Sequence, residues 1–366
     1  MPHALERHPD TLDEVGVIID DPALSEWQTT ARLIRLLHVR HVKLPLQQPG
    51  ETLSATPDPR LASLLLKLAR FPVQLIGTIE VPPSVHAPPA SQPAQPATTG
   101  RHLPTAAKRW QDQISFTVES YGSLVAAWQA GPDAGLFLAP AYYAHALQQV
   151  RTEMSRLIET PLLATPRLIH YQPAGPSPPA EFLSVYIPYR LAPDYIPAHL
   201  APFCNSSAAG VWAIVEPLPS GRYRRIDRLS DLAKRLILAY ASGCQVVFMP
   251  QPWHRRPQQT SQPIEPLEQM LLLRTIADVL GGTTPAGTIF IGDTANAYIF
   301  EQADNGVLVV WDDFAPPTGR KCSLYLGPAP HSVDLWGRLK PIRQRDGRHM
   351  FRVSPVPSLI TGVQTW

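Results

Sequence analysis

The segment Val15-Gly-Val-Ile-Ile-Asp20 is the stretch from which the fold can be inferred. Its apolar, β-branched run predicts a short buried strand that ends at a carboxylate. In a dinucleotide-binding sheet a glycine-rich phosphate loop would follow the first strand, but Asp21-Pro22 follows here. The segment therefore favours a strand of a parallel sheet that has no dinucleotide site.

The same unit, a short strand followed by a longer amphipathic helix, recurs along most of the chain. Residues 22–38 carry apolar side chains at helical spacing, and further apolar runs alternate with segments of helical period. The predicted strands are residues 15–20, 42–46, 73–80, 124–129, 162–165, 182–187, 211–216 and 245–249. Periodicity alone does not separate a closed barrel from an open sheet. The count of strands and the missing phosphate loop favour a (β/α)₈ TIM barrel over residues 1–283.

Beyond Gly281-Gly282 the period changes to that of β-strands. The runs are separated by turn sequences such as Asp304-Asn-Gly306 and Asp346-Gly347. We therefore predict a small all-β sandwich domain over residues 284–366. The barrel is expected to carry a proline-rich insertion, an exposed loop at about residues 82–104.

Composition and charge narrow the functional classes. The net charge is +2 and no basic stripe is interleaved with aromatic residues, so nucleic acid is not an expected partner. Cys204, Cys244 and Cys322 are far apart in sequence, which predicts buried free thiols and neither a metal site nor a disulfide framework. No window has the length of a membrane span and residues 1–10 lack a signal-peptide pattern, so no membrane association is expected. The oligomeric state is left open.

The active site of a barrel lies at the C-terminal ends of its strands, so the residues there are the candidates for chemistry. Carboxylates about 5–5.5 Å apart can hydrolyse a glycosidic bond, one as proton donor and one as nucleophile. Aromatic rings offer flat apolar faces to a sugar. The residues at these ends are Asp20, Asp21, Lys43, Glu80, Gln129, Asp133, Thr165, Tyr186, Tyr189, Glu216, Gln251, Trp253 and His254.

These residues resemble the pattern of clan A, the large clan of retaining glycoside hydrolases with a (β/α)₈ barrel. Trp128-Gln-Ala-Gly-Pro-Asp133 is similar to the Trp-x-x-x-Asn-Glu motif that ends strand four in the clan, with Pro132 for Asn and Asp133 for Glu. Glu216 matches the position of the nucleophile, and Trp253 that of the aromatic residue under the sugar. A β-sandwich follows the barrel in several of these hydrolases, and residues 296–311 resemble it.

The resemblance implies hydrolysis of a glycosidic bond with retention, with Glu216 as nucleophile and Asp133 as acid/base. It implies a carbohydrate ligand, no cofactor and no metal, and it suggests an exported protein, although the chain shows no export signal. The expected substrate-binding residues are Trp253, Trp128, Tyr186, Tyr189, Lys43 and Glu80.

The departures from the motif leave two alternatives open. Asp133 sets its carboxyl back by ~1.5 Å relative to Glu, and such a displacement can cost on the order of 10²-fold in rate. The chain could therefore be a barrel without catalysis that binds carbohydrate or serves as an assembly module. It could also be a lyase or isomerase in which Lys43 and Glu80 act as the base. Each candidate also has a structural interpretation: Glu216 as a salt-bridge partner, Asp133 as a turn or helix-capping residue, the aromatic residues as core.

Overall fold

A computed structural model of the chain describes residues 15–20, 26–46, 57–79, 106–133, 140–170, 180–206, 210–254, 264–302 and 305–364. Three sequence-based predictions fall outside these ranges: those on Asp21, on Glu80 and on the proline-rich insertion at residues 82–104.

Eight parallel strands form a closed barrel in which each strand pairs with its neighbours in sequence. Strand β1 also pairs with β8, with Gly16 opposite Phe248, and this pairing closes the cylinder. The predicted TIM barrel is confirmed and every predicted strand is present: the strand at residues 182–187 has the predicted bounds, and the other seven are shifted at one or both ends. The strands are β1 (Val15–Ile18), β2 (His41–Pro45), β3 (Gln74–Ile79), β4 (Ala127–Ala130), β5 (Leu163–Leu168), β6 (Phe182–Ile187), β7 (Gly210–Val215) and β8 (Val246–Pro250).

Helices cover the outside of the barrel because one face of each carries apolar residues. Helix α2 shows how the sequence begins such an element. Pro59 is its first residue, and the side chain of Asp58 accepts a hydrogen bond from the backbone N–H of Arg60 at 2.7 Å. The helices are α1 (Trp27–Leu37), α2 (Pro59–Leu68), α3 (Ala106–Tyr121), α4 (Pro140–Met154), α5 (Ile196–Ser206), α6 (Arg225–Ala241) and α7 (Gln269–Leu280).

The alternation of side chains along each strand separates two apolar layers. Ile18 belongs to the cluster inside the barrel, whereas Ile19 packs in the layer between strands and helices. By the same alternation Asp20 follows on the inner side, at the mouth of the barrel. The inner cluster consists of Ile18, Ile76, Ala127, Ala164, Trp212, Ile214, Val246 and Phe248.

Past the barrel, two antiparallel sheets form the predicted β-sandwich. An apolar cluster that includes Leu308, Val310, Val353 and Ile360 joins them, and this cluster is distinct from the barrel core. A two-stranded ladder of β9 (Trp253–His254) and β10 (Glu265–Pro266) lies between β8 and α7. The larger sheet has the order β11 (Thr284–Thr288), β12 (Ala295–Gln302), β13 (Asn305–Asp312), β19 (Ser358–Gln364), β15 (His331–Val333), β16 (Leu339–Pro341), and the smaller one β14 (Arg320–Leu324), β18 (Arg348–Val353), β17 (Gln344–Arg345).

The sandwich packs against helix α6 of the barrel. The ring of Phe300 on β12 stacks on Tyr240 with the centroids 5.2 Å apart, and Phe300 is completely buried. Lys234 forms an ion pair with Asp313, and the hydroxyl of Ser230 donates to the carbonyl of Pro355 at 3.1 Å. Phe300 belongs to the same apolar core as the helices, so the two parts of the chain share one hydrophobic interior.

Candidate active site

Polar and charged side chains from five strands meet at the C-terminal mouth of the barrel. Deeper in the barrel the inner residues of β1, β4 and β7 are apolar, whereas the inner residue of β2 there is His41, whose ring lies edge-on to Phe248. The mouth cluster, as we name it, consists of Asp20 after β1, Lys43 on β2, Gln129 and Asp133 on and after β4, Ser184 and Tyr186 on β6, and Glu216 after β7.

Lys43 is the centre of this cluster and is completely buried. Its Nζ donates to Oε1 of Gln129 at 2.6 Å, to Ser184 Oγ at 3.4 Å and to Oδ1 of Asp133. An ammonium group has three protons, so the three acceptors satisfy it. Its ring neighbour is Phe248, whose centroid lies 5.6 Å from Nζ. The arrangement is that of a charged lysine supplied with the partners that burial requires.

Asp133 is fixed from two sides. Besides the bond from Lys43, its Oδ1 accepts a hydrogen bond from Nε2 of Gln129 at 2.7 Å. The same Nε2 donates to the carbonyl of Gly131 at 2.9 Å, and Gln129 is completely buried. The carboxylate itself is 19% exposed. Asp133 is therefore a carboxylate that two donors hold in place while part of its side chain stays exposed.

The charged groups of the mouth cluster shift one another's pKa values. Burial lowers the pKa of Lys43, and the negative charges of Asp133 and Asp20 oppose that effect. Desolvation raises the pKa of Asp20, and the charge of Asp133 raises it further, whereas Lys43 lowers it. Asp20 is exposed at the mouth. It is thus a carboxyl group that keeps its proton to a higher pH than an ordinary aspartate.

Glu216 follows β7 and is half-buried. Its Oε2 accepts a hydrogen bond from the backbone N–H of Tyr189 at 2.9 Å. The side chain of Tyr186 also hydrogen-bonds to Glu216. The pKa of Tyr186 is raised, first by desolvation and then by the charge and the hydrogen bond of Glu216. Tyr186 therefore stays protonated at neutral pH and is a donor to the carboxylate of Glu216.

Five of the predicted site residues lie in or beside this cluster: Asp133, Glu216, Lys43 and Tyr186 as members, and Tyr189 through its backbone. The carbonyl of Tyr189 also accepts from Nη2 of Arg235 at 2.8 Å, which fixes the loop after β6. Asp20 and Gln129, predicted as strand-end candidates without a specific role, are also members of the cluster, and Ser184 is a member that was not predicted from the sequence. The alternation of Ser184 and Tyr186 along β6 is the signal that could have found Ser184.

The two predicted tryptophans lie elsewhere. Trp128 is 1% exposed and packs in the layer between the strands and the helices, on the opposite side of β4 from Gln129. Trp253 is 2% exposed and belongs to that same layer, and its indole nitrogen has no hydrogen-bond partner among the described residues. Neither ring presents an open face to the mouth in this structure.

Within the residues described, no group of three or more His, Cys, Asp or Glu side chains is arranged to hold a metal ion. In the same part of the chain, no helix has the length and apolar character needed to cross a bilayer. What the cluster offers chemically is a set of carboxylates, one buried ammonium and hydrogen-bond donors around an opening. Carboxylates in such a setting can transfer protons or attack an electrophilic carbon.

No protein-family model matches the chain, and no curated protein matches it in sequence. Its structure is similar to that of a family 39 glycoside hydrolase from Bacteroides cellulosilyticus WH2, with 14% identity and a TM-score of 0.68 over 96% of this chain and 81% of that one. It is also similar to a family 30 subfamily 8 xylanase from Clostridium acetobutylicum, with 12% identity and a TM-score of 0.68 over 98% and 97%.

A third similar structure is a GH30 endoxylanase from Clostridium papyrosolvens C71, with 9% identity and a TM-score of 0.65 over 98% of both chains. At such identities the likeness concerns the fold, and it extends over the barrel and the sandwich together. The chain therefore has the fold of (β/α)₈ glycoside hydrolases that carry a C-terminal β-sandwich.

Proposed function

We propose that the chain is a retaining glycoside hydrolase that acts at the barrel mouth, with Glu216 as nucleophile and Asp133 as acid/base. The observation that carries the proposal is the way Glu216 is held. A half-buried carboxylate at the end of β7 receives a backbone N–H from Tyr189 at 2.9 Å and the hydroxyl of Tyr186. A nucleophile must be aimed before substrate arrives, and two donors on one carboxylate fix its orientation.

The reaction would proceed in two steps. In the first, a carboxylate oxygen of Glu216 forms a bond to the anomeric carbon while the glycosidic C–O bond breaks, and Asp133 gives a proton to the leaving oxygen. In the second, Asp133 takes a proton from a water molecule, the water oxygen bonds to the anomeric carbon and Glu216 leaves. Lys43 and Gln129 fix Asp133 during both steps. Tyr186 donates to Glu216 before the attack and after its departure.

One observation favours a second function, a barrel that binds carbohydrate without cleaving it. Oδ1 of Asp133 accepts hydrogen bonds from the completely buried ammonium of Lys43 and from Gln129, and an oxygen that two donors occupy is poorly placed to give a proton to a leaving group. The shorter side chain of aspartate, in place of the glutamate of the clan, also weakens proton donation to the leaving oxygen. In this second candidate the mouth cluster would be a polar recognition surface for sugar hydroxyls.

The test is hydrolysis of a panel of aryl glycosides by the wild type, Glu216→Gln and Asp133→Ala, at matched concentrations of folded protein. Glu301→Gln, an exposed glutamate on β12, is the matched control and should behave as the wild type. We expect Glu216→Gln to lower kcat by on the order of 10³-fold or more. Asp133→Ala should lose far more activity on substrates with poor leaving groups than on activated ones, and added azide should restore activity and yield the glycosyl azide.

Oligosaccharide binding measured in parallel by calorimetry distinguishes the candidates. Hydrolysis that disappears in Glu216→Gln supports the hydrolase. Binding without hydrolysis of any glycoside, weakened by substitution of Glu216, supports the binding module. Hydrolysis that Glu216→Gln leaves unchanged, or an absence of both hydrolysis and binding, contradicts the proposed roles of the mouth cluster.

The effect of Tyr186 provides an independent check on the nucleophile. Tyr186→Phe removes one donor from Glu216 and should lower kcat by on the order of 10-fold, because a hydrogen bond to a charged group contributes about 1.5–3 kcal/mol. Tyr325→Phe, which alters a tyrosine 40% exposed after β14 in the sandwich, is the control and should leave kcat unchanged. Equal rates for the two variants would argue against Glu216 as the nucleophile.

A further inference from the structure

The thiols of Cys204 and Cys244 are in contact, although the two residues are far apart in sequence. Cys204 lies on α5 and is half-buried, whereas Cys244 follows α6 and is 2% exposed. A side-chain hydrogen bond joins the two sulfur atoms. The pair is thus built of one thiol with access to solvent and one enclosed behind it.

The pair lies at the end of the barrel opposite the mouth cluster. Gln245, the residue after Cys244, donates its backbone N–H to the carbonyl of Val211 at 2.8 Å, at the point where β8 begins beside β7. Helix α5, which carries Cys204, precedes β7 in the chain. Cys204 and Cys244 therefore flank the segment that contains β7, Glu216 and α6, at the N-terminal ends of the strands.

The two sulfur atoms differ in their access to solvent, and this difference assigns their roles, because a reagent can reach the half-buried Cys204 and not the enclosed Cys244. The hydrogen bond from Cys244 lowers the pKa of Cys204, against the opposing effect of burial, because it stabilises the thiolate. The thiolate is the reactive form of cysteine, and access to solvent lets it meet a reagent. The third cysteine, Cys322 on β14, has its pKa raised by burial and provides an internal comparison.

We propose that Cys204 and Cys244 form a redox-modifiable dithiol pair, with Cys204 as the attacking thiol and Cys244 as the resolving thiol, and that a small-molecule disulfide converts the pair to an intramolecular disulfide. In the first step the Cys204 thiolate bonds to one sulfur of the reagent and its S–S bond breaks, which releases one reagent thiolate. In the second, Cys244 gives up its proton, bonds to the sulfur of Cys204 and displaces the second reagent thiolate. The protein loses two electrons and two protons, and the reagent disulfide gains them.

The cross-link would close a loop of roughly 40 residues around β7 and α6, and closing a loop of this size stabilises the folded state by restricting the unfolded chain. Since the pair lies away from the mouth, ligand binding there should not change on oxidation. The disulfide would stabilise the segment that carries Glu216 against unfolding.

The experiment is incubation of the intact chain with oxidised glutathione, followed by intact mass measurement and peptide mapping. The wild type should lose the mass of two hydrogens and yield a cross-linked peptide that contains Cys204 and Cys244. Cys244→Ala should instead keep one glutathione on Cys204, because no thiol remains to displace it. Cys204→Ser should stay unmodified at Cys244, and Cys322→Ala should form the cross-link as the wild type does.

Thermal unfolding of the wild type before and after oxidation adds a readout that needs no variant. The oxidised form should unfold several degrees higher, and a reducing agent should remove the shift. The proposal is overturned by wild-type protein that keeps glutathione without forming the cross-link, that stays unmodified, or that pairs either cysteine with Cys322. Circular dichroism establishes that each variant is folded before its masses are compared.

Discussion

Lys43 donates a hydrogen bond to Asp133 from an ammonium group that is completely buried, whereas the carboxylate that accepts it is 19% exposed. The two side chains of this ion pair therefore differ in their access to water. Asp133 can turn toward water if its partner is removed. Lys43 cannot, because the barrel encloses it.

The first prediction follows from this difference in access to water. Asp133→Ala leaves a buried charge without its counter-ion and should lower the free energy of unfolding at pH 7 by about 3–5 kcal/mol. Lys43→Met removes the buried charge itself and should cost less, about 1–3 kcal/mol, mainly through the unpaired Gln129 and Ser184. The double variant should be more stable than Asp133→Ala alone. Urea denaturation of the four proteins measures this, and a larger loss in Lys43→Met than in Asp133→Ala would contradict it.

The second prediction concerns the pH dependence of stability at Asp20. The pKa of Asp20 is raised in the folded protein above the ordinary value of 3.8, so the folded state holds this proton more tightly than the unfolded chain. The stability that Asp20 contributes is therefore present at low pH and is lost as the pH rises through the raised value. Asp20→Asn cannot ionise and should be more stable than the wild type at pH 7, by less than about 1 kcal/mol because the group is exposed.

That gain should shrink as the pH falls through the raised pKa of Asp20 and should be absent below the ordinary value of 3.8, where Asp20 is protonated in both states. Chemical denaturation between pH 3 and pH 8 is the measurement. Asp346→Asn, at a side chain 93% exposed, is the matched control and should show no such trend. A gain that is constant across the range would show that the substitution acts through contacts and not through ionisation.

The third prediction tests the close packing of Gly16 on β1 against the ring of Phe248 inside the barrel. A Cβ added at Gly16 would overlap the ring of Phe248, which is completely buried, and would lie 3.1 Å from Cβ of His41. Gly16→Ala should therefore destabilise the fold by about 1–3 kcal/mol. Gly221→Ala is the control, because nothing lies within 4 Å of its added Cβ. Equal unfolding midpoints for the two variants would contradict this packing.

The fourth prediction tests the contact between barrel and sandwich. Phe300 is completely buried against Tyr240, so Phe300→Ala should lower the free energy of unfolding by about 3–5 kcal/mol. Phe290→Ala, at a ring 81% exposed, should change it by about 0.5 kcal/mol or less. Because the two parts share one apolar core, calorimetry of Phe300→Ala should show a single transition at lower temperature. Separate transitions for the two parts in the wild type would argue against a shared core.

Several features could be predicted because they depend on local pattern. The strand 211–216 was found from its β-branched run, and the observed β7 (Gly210–Val215) differs by one residue. The ends were less predictable at β4, which begins at Ala127 instead of residue 124, because Leu124 and Val125 are apolar residues that precede the barrel pairing. Apolar character shows that a segment is buried, but only hydrogen-bonded neighbours decide where a strand starts.

Glu216 and Asp133 were predicted as site residues from their positions at strand ends and from the resemblance to clan A, and the structure adds their hydrogen-bond partners. The sugar-binding role of Trp253 was predicted from its match to an aromatic position of clan A, and that of Trp128 from its place in the motif at β4. An aromatic side chain on or near a barrel strand can face either the mouth or the outer layer. That choice follows from which side of the strand the residue occupies, and from what the neighbouring helices leave uncovered.

The sequence by itself determined the fold class, because alternating periods of strand and helix encode which faces must be buried, and this pattern is local. Only the tertiary structure decided that Lys43 is the partner of Asp133, that Tyr186 and Tyr189 hold Glu216, and that Cys204 touches Cys244. These contacts join residues from different strands and helices. They depend on the closure and register of the barrel, which set distances that no local pattern in the chain records.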